Sequence, residues 1–296
     1  MTRVSATRAE QLSGEVAELV ATHKLRRAGA RPSLRDYTRD LWGRRHFITS
    51  FSTANNAVGY SDSFLGQAWQ LLTPLLNAAV YYLIFGVLLH TKRGVHNFIA
   101  FLVIGIFVFT FTQTSALQGA RAISANLGLT RVLQFPRAVL PVASTLVALQ
   151  RLVLSLVIML PIVLITGEVP APRWLLLIPA IVLQSMFCLG MAFIIARIGA
   201  KVPDTSQVLP FILRTWLYLS GVFYSVTSFT KGHGHWVKVL LEVNPGAVYV
   251  NIVRDALLSH ERATPYAWPL AIGWAVVILV AGYVFFWQAE EQYGRV

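Results

Sequence analysis

Carboxylates are missing from the most apolar parts of this 296-residue chain. Six long apolar stretches run through it, and all 13 Asp and Glu residues lie outside them. A proton-driven carrier needs a titratable carboxylate at membrane depth to relay its proton. The chain therefore lacks the groups from which a self-powered carrier would draw its energy.

Cysteine and charge are scarce as well. Cys188 is the only cysteine, which excludes a disulfide framework or a Cys-based metal site within one chain. Only 13% of the residues are charged and 55% are hydrophobic, whereas soluble domains carry about 25% charged residues. The composition indicates an integral membrane protein, and the polar first 60 residues lead us to expect no secretory signal peptide.

Several catalytic signatures are absent too. The phosphate-binding pattern G-x-x-x-x-G-K-[ST] does not occur, and there is no Gly-Lys dipeptide at all. Asp-x-Asp, Gly-x-Ser-x-Gly and His-Glu-x-x-His are also missing. We therefore expect no catalytic residue, no metal site and no cofactor in this chain, and any ATP would have to be hydrolysed by another subunit.

The apolar stretches have the length of membrane spans, because a bilayer core about 30 Å thick needs roughly 20 helical residues. We predict an all-α membrane protein of six transmembrane helices, at about 65–89, 98–119, 139–166, 174–197, 207–227 and 268–288. Sixteen Lys and Arg then lie on the side of the two termini and seven on the other side. The positive-inside rule predicts that both termini are cytoplasmic. This sorting also accounts for the net charge of +12 without a nucleic-acid partner.

The region before the first span divides into two parts. Residues 1–30 are predicted to be a polar cytoplasmic tail, 31–64 an amphipathic interface helix with its lead-in, and 65–296 the six-span domain. Apolar residues recur at helical spacing from Leu34 to Phe51, and arginines including Arg44 and Arg45 supply the polar face. Such a helix suits the cytoplasmic membrane surface, although a solvated lead-in helix would show the same pattern.

Two connections have structure of their own. Residues 120–138 carry Gly128 and Pro136 around a short helical piece. Residues 228–267 contain two apolar runs that meet at Asn244-Pro245, and each is too short to span. We predict two re-entrant or surface helices there.

Arg151 and Arg214 are the charged residues inside the predicted spans. An arginine at a helix centre costs about 2.5–3.5 kcal/mol on insertion scales, so each one needs compensation. Snorkelling or pairing within the protein would supply it. Contact with an anionic group such as a lipid pyrophosphate, which a planar guanidinium fits well, is the alternative.

Two groups of aromatic residues accompany these arginines. Tyr218 shares a helical face with Arg214, and Tyr81, Tyr82 and Phe85 cluster in the first span. Aromatic faces contact sugar rings, so these residues are candidates for lining a channel. Packing between helices explains the same residues without any ligand.

Five segments resemble, in order, the polysaccharide-export permeases of type-2 ABC transporters. They are RDLWGRRHFI (39–48), SFLGQAWQLLTPLL (63–76), SANLGLTRVLQFPRAVLPV (124–142), SGVFYSV (220–226) and NPGAVYVNIVRDALL (244–258). The similarity extends over roughly residues 35–290. Within the family the chain is most similar to permeases that export lipid-linked galactan or O-antigen, which are grouped with teichoic-acid exporters.

The resemblance implies a homodimer in the bacterial inner (plasma) membrane, paired with two ATP-binding-cassette ATPase subunits that hold ATP and Mg. The interface helix (about Leu34–Phe51) and a coupling helix (about Ile123–Val132) would dock on the ATPase, and the two outer helices would be gate helices. The implied docking residues are Asp36, Tyr37, Arg39, Asp40, Asn126, Leu127 and Arg131.

The resemblance thus suggests ATP-driven export of a lipid-linked polysaccharide through the dimer interface. Its lipid pyrophosphate would enter near Arg44 and Arg45, and the channel set would be Arg151, Arg214, Tyr218, Tyr81, Tyr82 and Phe85. The alternatives are a drug or small-lipid exporter of the same architecture, and a membrane enzyme of cell-wall glycan assembly.

Overall fold

A computed structural model describes residues 32–58, 66–88, 95–132, 135–229, 235–291 and 293. The predicted tail, 1–30, and part of the lead-in, 59–64, lie outside these residues. The described residues form helices and connections, with no β-strand among them. The predicted all-α class is confirmed for this part of the chain.

The helices before and within the first half are α1 (Leu34–Gly43), α2 (Arg45–Val58), α3 (Trp69–Tyr81), α4 (Phe98–Arg121), α5 (Leu127–Val132) and α6 (Val139–Ile165). A π-helical turn, Tyr82–Leu88, continues α3. The second half contains α7 (Leu177–Lys201), α8 (Thr205–Leu219), α9 (Val226–Phe229), α10 (His235–Val243), α11 (Pro245–Leu257) and α12 (Ala267–Gln288).

Five helical stretches in the described residues are long and apolar enough to cross a membrane. They are Leu71–Leu88, Phe98–Arg121, Val139–Ile165, Pro172–Lys201 and Ala267–Gln288. They coincide with five of the six predicted spans, and none contains an Asp or Glu. The chain is therefore a multi-pass membrane protein by both composition and structure.

The predicted span at 207–227 is not confirmed as a single helix of membrane length. Its helix, α8, has 15 residues and ends at Leu219, so it is about 22 Å long. Gly221 then adopts a φ of +62°, a left-handed conformation that suits glycine and turns the chain. The apolar sequence continues through Val226, and hydropathy alone does not register this turn.

The predicted interface helix is also divided. Gly43 ends α1 and Arg45 begins α2, with a turn at Arg44 between them. Ser33 caps the start of α1 by accepting a hydrogen bond from the Asp36 amide at 3.2 Å. The break separates a charged, mostly exposed first helix from a second one that packs along α6.

The core is built around α4. This helix is apolar on every side and is largely buried, with α3, α6, α7 and α11 packed around it. A helix that is hydrophobic all round has no face suited to water or to one-sided packing, so it takes the central place. Phe101, Phe107 and Phe109 are among its fully buried side chains.

Small residues let α7 touch two neighbours at backbone distance. A Cβ added at Gly282 of α12 would lie 2.2 Å from the Gly190 carbonyl oxygen of α7, and one added at Gly199 would lie 2.2 Å from the Ala120 oxygen of α4. Helices in lipid associate through such small-residue contacts because no hydrophobic effect drives them together.

Both ends of the bundle are fastened by a buried carboxylate. At the end that carries α1 and the last residues, here called the termini end, Tyr37 donates a hydrogen bond to Glu290 at 2.7 Å. At the other end, here called the loop end, Ser259 donates to Glu168 from its amide and its hydroxyl, both at 2.8 Å, and Asn97 donates to Glu168 at 3.3 Å. Burial raises the pKa of Glu168, but these hydrogen bonds outweigh it and leave that pKa lowered.

The backbone contact between α7 and α12 predicts different effects on stability for two glycine substitutions in α12. Gly282→Ala should destabilise the protein by at least the ~1–3 kcal/mol typical of overpacking, because the added carbon meets backbone. Gly273→Ala, in the same helix with nothing within 4 Å, should be neutral or stabilise by up to about 1 kcal/mol. Thermal unfolding of the purified protein in detergent measures both; equal Tm values for the two variants would contradict the packing.

Candidate functional site

Three of the predicted aromatic residues meet around a fourth ring. Phe223 lies 4.6 Å from Tyr81, 4.6 Å from Phe85, on which it stacks, and 5.3 Å from Tyr218 between ring centroids. We call Tyr81, Phe85, Tyr218 and Phe223 the aromatic cluster. Phe223 belongs to the turn after α8, and its part in the site was not predicted because its segment was assigned to the span itself.

Tyr82 does not join this cluster. It lies one residue on from Tyr81 and points to another side of the helix. Its ring lies 6.4 Å from Phe98, and it lines a shallow pocket at the loop end with His96, Asn97 and Thr166. Adjacent positions in a helix differ by about 100° in direction, so the predicted joint lining by Tyr81 and Tyr82 is not found.

Arg214 lies on an exposed face of α8. Phe211, Thr215 and Tyr218 are exposed on that same face, as their spacing predicted. The rings of Tyr218 and Tyr81 both contact Phe223, and Arg214 is close enough to Tyr81 for an electrostatic interaction.

Asn77 is exposed one turn before Tyr81 on α3. Arg214, Tyr218 and Tyr81 together form what we call the arginine–tyrosine surface. An exposed guanidinium is costly against hydrocarbon, so this surface requires either a protein partner or water. An exposed, aromatic-edged surface of this kind can accept hydroxyl-rich ligands.

Arg151 is placed differently, inside the bundle. Its Nε donates to the Asn56 side chain at 3.0 Å. With the Gln118 amide turned so that its oxygen faces the arginine, which satisfies both Gln118 polar atoms, Nη1 donates to that oxygen at 3.2 Å. It lines a cavity of about 140 Å³ with hydroxyl side chains that include Thr110 and Ser155. Arg151 therefore has protein partners on α2 and α4, whereas Arg214 faces outward on α8, and the two arginines do not form one site.

The residues at the termini end divide by exposure. Asp36, Arg39 and Asp40 of α1 are exposed, as are Arg44 and Arg45 at the break. Arg45 donates from Nη1 to the Trp42 carbonyl at 3.5 Å. These five charged residues are accessible at the termini end, and none of them belongs to the aromatic cluster.

Tyr37 differs from its neighbours in α1, because it is only 1% exposed. Its side chain is enclosed by this chain and cannot itself contact a docking partner, which corrects its predicted role. Asn126 donates to the Ala122 carbonyl at 2.8 Å and Leu127 packs against the same buried cluster as Tyr37. Arg131 lies in α5, and its side chain is outside the described residues.

Among the residues that the structure describes, no three His, Cys, Asp or Glu side chains come together as a metal site. The candidate surfaces are the exposed arginine–tyrosine surface and the charged surface at the termini end.

The sequence of this chain, compared with known families, matches the ABC-2 type transporter family over residues 50–258. That match covers more than half of the chain and runs from α2 to the end of α11. The chain belongs to the ABC-2 type transporter family.

Individual relatives of this ABC-2 type transporter cover most of its length. It is 27% identical to the O-antigen export system permease protein RfbA of Myxococcus xanthus over 87% of this chain and 97% of that one. It is 25% identical to the polysialic acid transport protein KpsM of Escherichia coli, over 77% and 87%. It is 26% identical to the capsule polysaccharide export inner-membrane protein CtrC of Neisseria meningitidis, over 69% and 77%.

The transporter contains one buried cation that the sequence analysis missed. Arg254 of α11 is 2% exposed and donates to the carbonyls of Phe101 at 2.9 and 3.2 Å, Gly221 at 2.8 Å and Val222 at 2.8 Å. Its guanidinium also lies 3.2 Å from the Phe101 ring centroid. The motif NPGAVYVNIVRDALL contained it, but nothing local in that motif indicates which carbonyls it would reach.

Arg254 positions the aromatic cluster. Gly221 and Val222 immediately precede Phe223, so the two hydrogen bonds to their carbonyls fix the turn that presents this ring. Gly105 of α4 leaves the space for the guanidinium, since a Cβ there would lie 2.6 Å from its Nη2. The turn at the end of α8 is therefore held by the same arginine that joins α11 to α4.

The hydrogen bonds of Arg254 to three carbonyls allow a test of whether its guanidinium geometry, and not only its charge, is needed for stability. Arg254→Lys keeps the charge but cannot reach three carbonyls with one ammonium, so buried acceptors lose partners at a cost of about 1–3 kcal/mol each. We expect a clear fall in Tm and in membrane abundance. Arg262→Lys is the matched control, because the Arg262 side chain is 60% exposed and its ion pair with Asp255 is long, at 3.9 Å. Equal stability of the two variants would contradict this assignment.

Proposed function

We propose that this chain is the permease subunit of an ATP-driven exporter that moves a lipid-linked polysaccharide out of the cytoplasm. The observation that carries the proposal is the exposed arginine–tyrosine surface, in a chain whose relatives over most of its length are named for O-antigen and capsule polysaccharide export. A surface of tyrosines with one arginine suits sugar rings and an anionic lipid pyrophosphate.

The proposal includes six crossings. Tyr37 and Glu290 bring the two terminal segments to one end, which favours an even number of spans. The start of α8 packs on Ala120 of α4, whereas the turn after it bonds, through Arg254, to Phe101 near the other end of α4. We take α8 with its turn as the remaining crossing, the fifth along the chain. Helices α10 and α11, joined at Asn244, are then the re-entrant gate helices.

A second copy of the chain would cover the arginine–tyrosine surface. In a two-fold dimer the surface on α8 of one subunit faces its equivalent on the other. The exposed polar groups would then line a conduit rather than lipid. This arrangement gives many similar weak contacts along a polymer, which favours movement over tight binding at one place.

The energy source in this proposal is a pair of partner ATPase subunits that bind ATP and Mg. The exposed charges of α1, which are Asp36, Arg39 and Asp40, together with the connection around α5, supply a docking surface at the termini end. The excess of Lys and Arg on that side favours a cytoplasmic position for the termini end, with the subunit in the inner membrane of a bacterium. Arg44 and Arg45 lie beside the docking surface, where a lipid pyrophosphate would approach from the cytoplasmic leaflet.

Depletion of the protein is the direct test of the cargo. In a bacterium that carries this chain, we expect lipid-linked glycan to accumulate in the cytoplasmic leaflet when the chain is depleted, and to be exported again on re-expression. Extraction and quantification of the lipid-linked glycan from whole cells gives the measurement. Normal glycan export during depletion would exclude the proposal, and a change in drug or small-lipid efflux alone would favour an exporter of small molecules.

Arg214 should matter for transport and not for folding. Arg214→Ala removes an exposed guanidinium, so membrane abundance should stay at the wild-type level. Loss of one charge-assisted contact, about 1.5–3 kcal/mol, should lower export about tenfold or more. Gln207→Ala, exposed near the start of the same helix, is the control and should export normally. A fall in abundance without a fall in export per molecule would instead assign Arg214 a structural role.

A further inference from the structure

Four residues from three separate segments form a buried hydrogen-bonded group at the termini end. Tyr37 Oη donates to Glu290 Oε2 at 2.7 Å and accepts from the Ala138 amide at 3.0 Å. Glu290 Oε1 accepts from the Arg137 amide at 2.9 Å and from Arg137 Nη1 at 3.4 Å. We call Tyr37, Arg137, Ala138 and Glu290 the carboxylate junction.

The junction is enclosed, and its groups satisfy one another. Tyr37 is 1% exposed and Glu290 is 4% exposed. Burial raises the pKa of Glu290, while hydrogen bonds from Arg137 and Tyr37 act in the opposite direction. A buried polar group of this kind holds its geometry closely, because losing any one member leaves the others unpaired.

The carboxylate junction joins three segments that are far apart in the chain. Tyr37 lies in α1, Ala138 is the residue before α6 begins, and Glu290 lies two residues after α12 ends. Tyr37 is also the only buried residue of α1. The Tyr37 hydroxyl therefore connects α1 by hydrogen bonds both to the start of α6 and to the segment after α12.

Further contacts keep α1 against α12 without reaching α6. The Thr38 hydroxyl lies 2.8 Å from the Tyr283 hydroxyl, and the Trp287 indole donates to the Pro32 carbonyl at 3.1 Å. These contacts would hold α1 in place if the Tyr37 hydroxyl were removed. The Tyr37 ring and Leu41 of α1 also pack in clusters that contain α6 residues, so Tyr37→Phe removes the hydrogen-bonded part of the linkage to α6 and keeps the packing.

We propose that Tyr37 and Glu290 are coupling residues, which transmit movement of an ATPase-docked α1 to the start of α6 and the end of α12. The inference rests on the proposed function, because it assumes a partner that moves α1. The exposed Asp36, Arg39 and Asp40 of α1 receive the partner, and the buried Tyr37 of the same helix passes the displacement inward.

A tyrosine pair in the same buried cluster gives a matched test. Tyr37→Phe removes the bridging hydroxyl and keeps the ring. Tyr293→Phe, 2% exposed, removes a hydroxyl that donates only to the Phe286 carbonyl of its own terminal segment, at 3.2 Å. A purely structural role for buried hydroxyls would affect both variants alike.

The experiment uses the full chain purified with its ATPase subunits. For Tyr37→Phe we expect normal abundance, ATPase co-purification and an ATP hydrolysis rate within twofold of wild type, with glycan export in cells at least fivefold lower. Hydrogen exchange over residues 139–145, compared with and without ATP, should change in the wild type and in Tyr293→Phe but not in Tyr37→Phe. Glu290→Gln is the second variant and should behave as Tyr37→Phe does.

The outcomes separate the two proposals. If the wild type neither restores glycan export nor co-purifies with an ATPase, the proposed function is wrong, and this inference, which rests on it, is wrong as well. If the wild type does both, the inference alone is overturned by wild-type export in Tyr37→Phe. It is overturned equally if Tyr37→Phe and Glu290→Gln both lose abundance, or if Tyr293→Phe is impaired to the same extent.

Discussion

One buried arginine organises the loop end of this protein. Its N–H groups have almost no access to water, so they must find acceptors within the protein. Arg254 can be buried only because the carbonyls of Phe101, Gly221 and Val222 surround it. Two of those carbonyls belong to the turn that ends α8. The same cation therefore sets the length of α8, orients Phe223 and joins α11 to the central helix α4.

The arginine–tyrosine surface exists because α8 is short. A longer helix would continue straight, whereas the turn at Gly221 brings Phe223 back against Tyr81 and Phe85. Tyr218 and Arg214 then face outward beside them. In a lipid environment such a face is unfavourable for a lone subunit, which is why the proposed dimer and its conduit follow from the same geometry.

The two ends of the bundle use buried carboxylates for different purposes. Glu168 ties loops together at the loop end, where movement would open the bundle. At the termini end, Glu290 joins α1 to two membrane helices under a surface of exposed charges. No carboxylate lies in the five membrane-length helices, which agrees with the proposed partner ATPase as the source of energy.

Local composition determined the membrane class, five of the spans and the missing proton relay, because lipid imposes length and polarity on each segment separately. It also indicated the helical face shared by Arg214 and Tyr218. Only the tertiary structure decided that Arg151 pairs inside the bundle, that Tyr82 faces away from Tyr81, and that α8 stops early. Those outcomes depend on contacts between residues far apart in the chain, such as Arg254 and Phe101, which are 153 positions apart, and no local pattern in a sequence encodes such pairings.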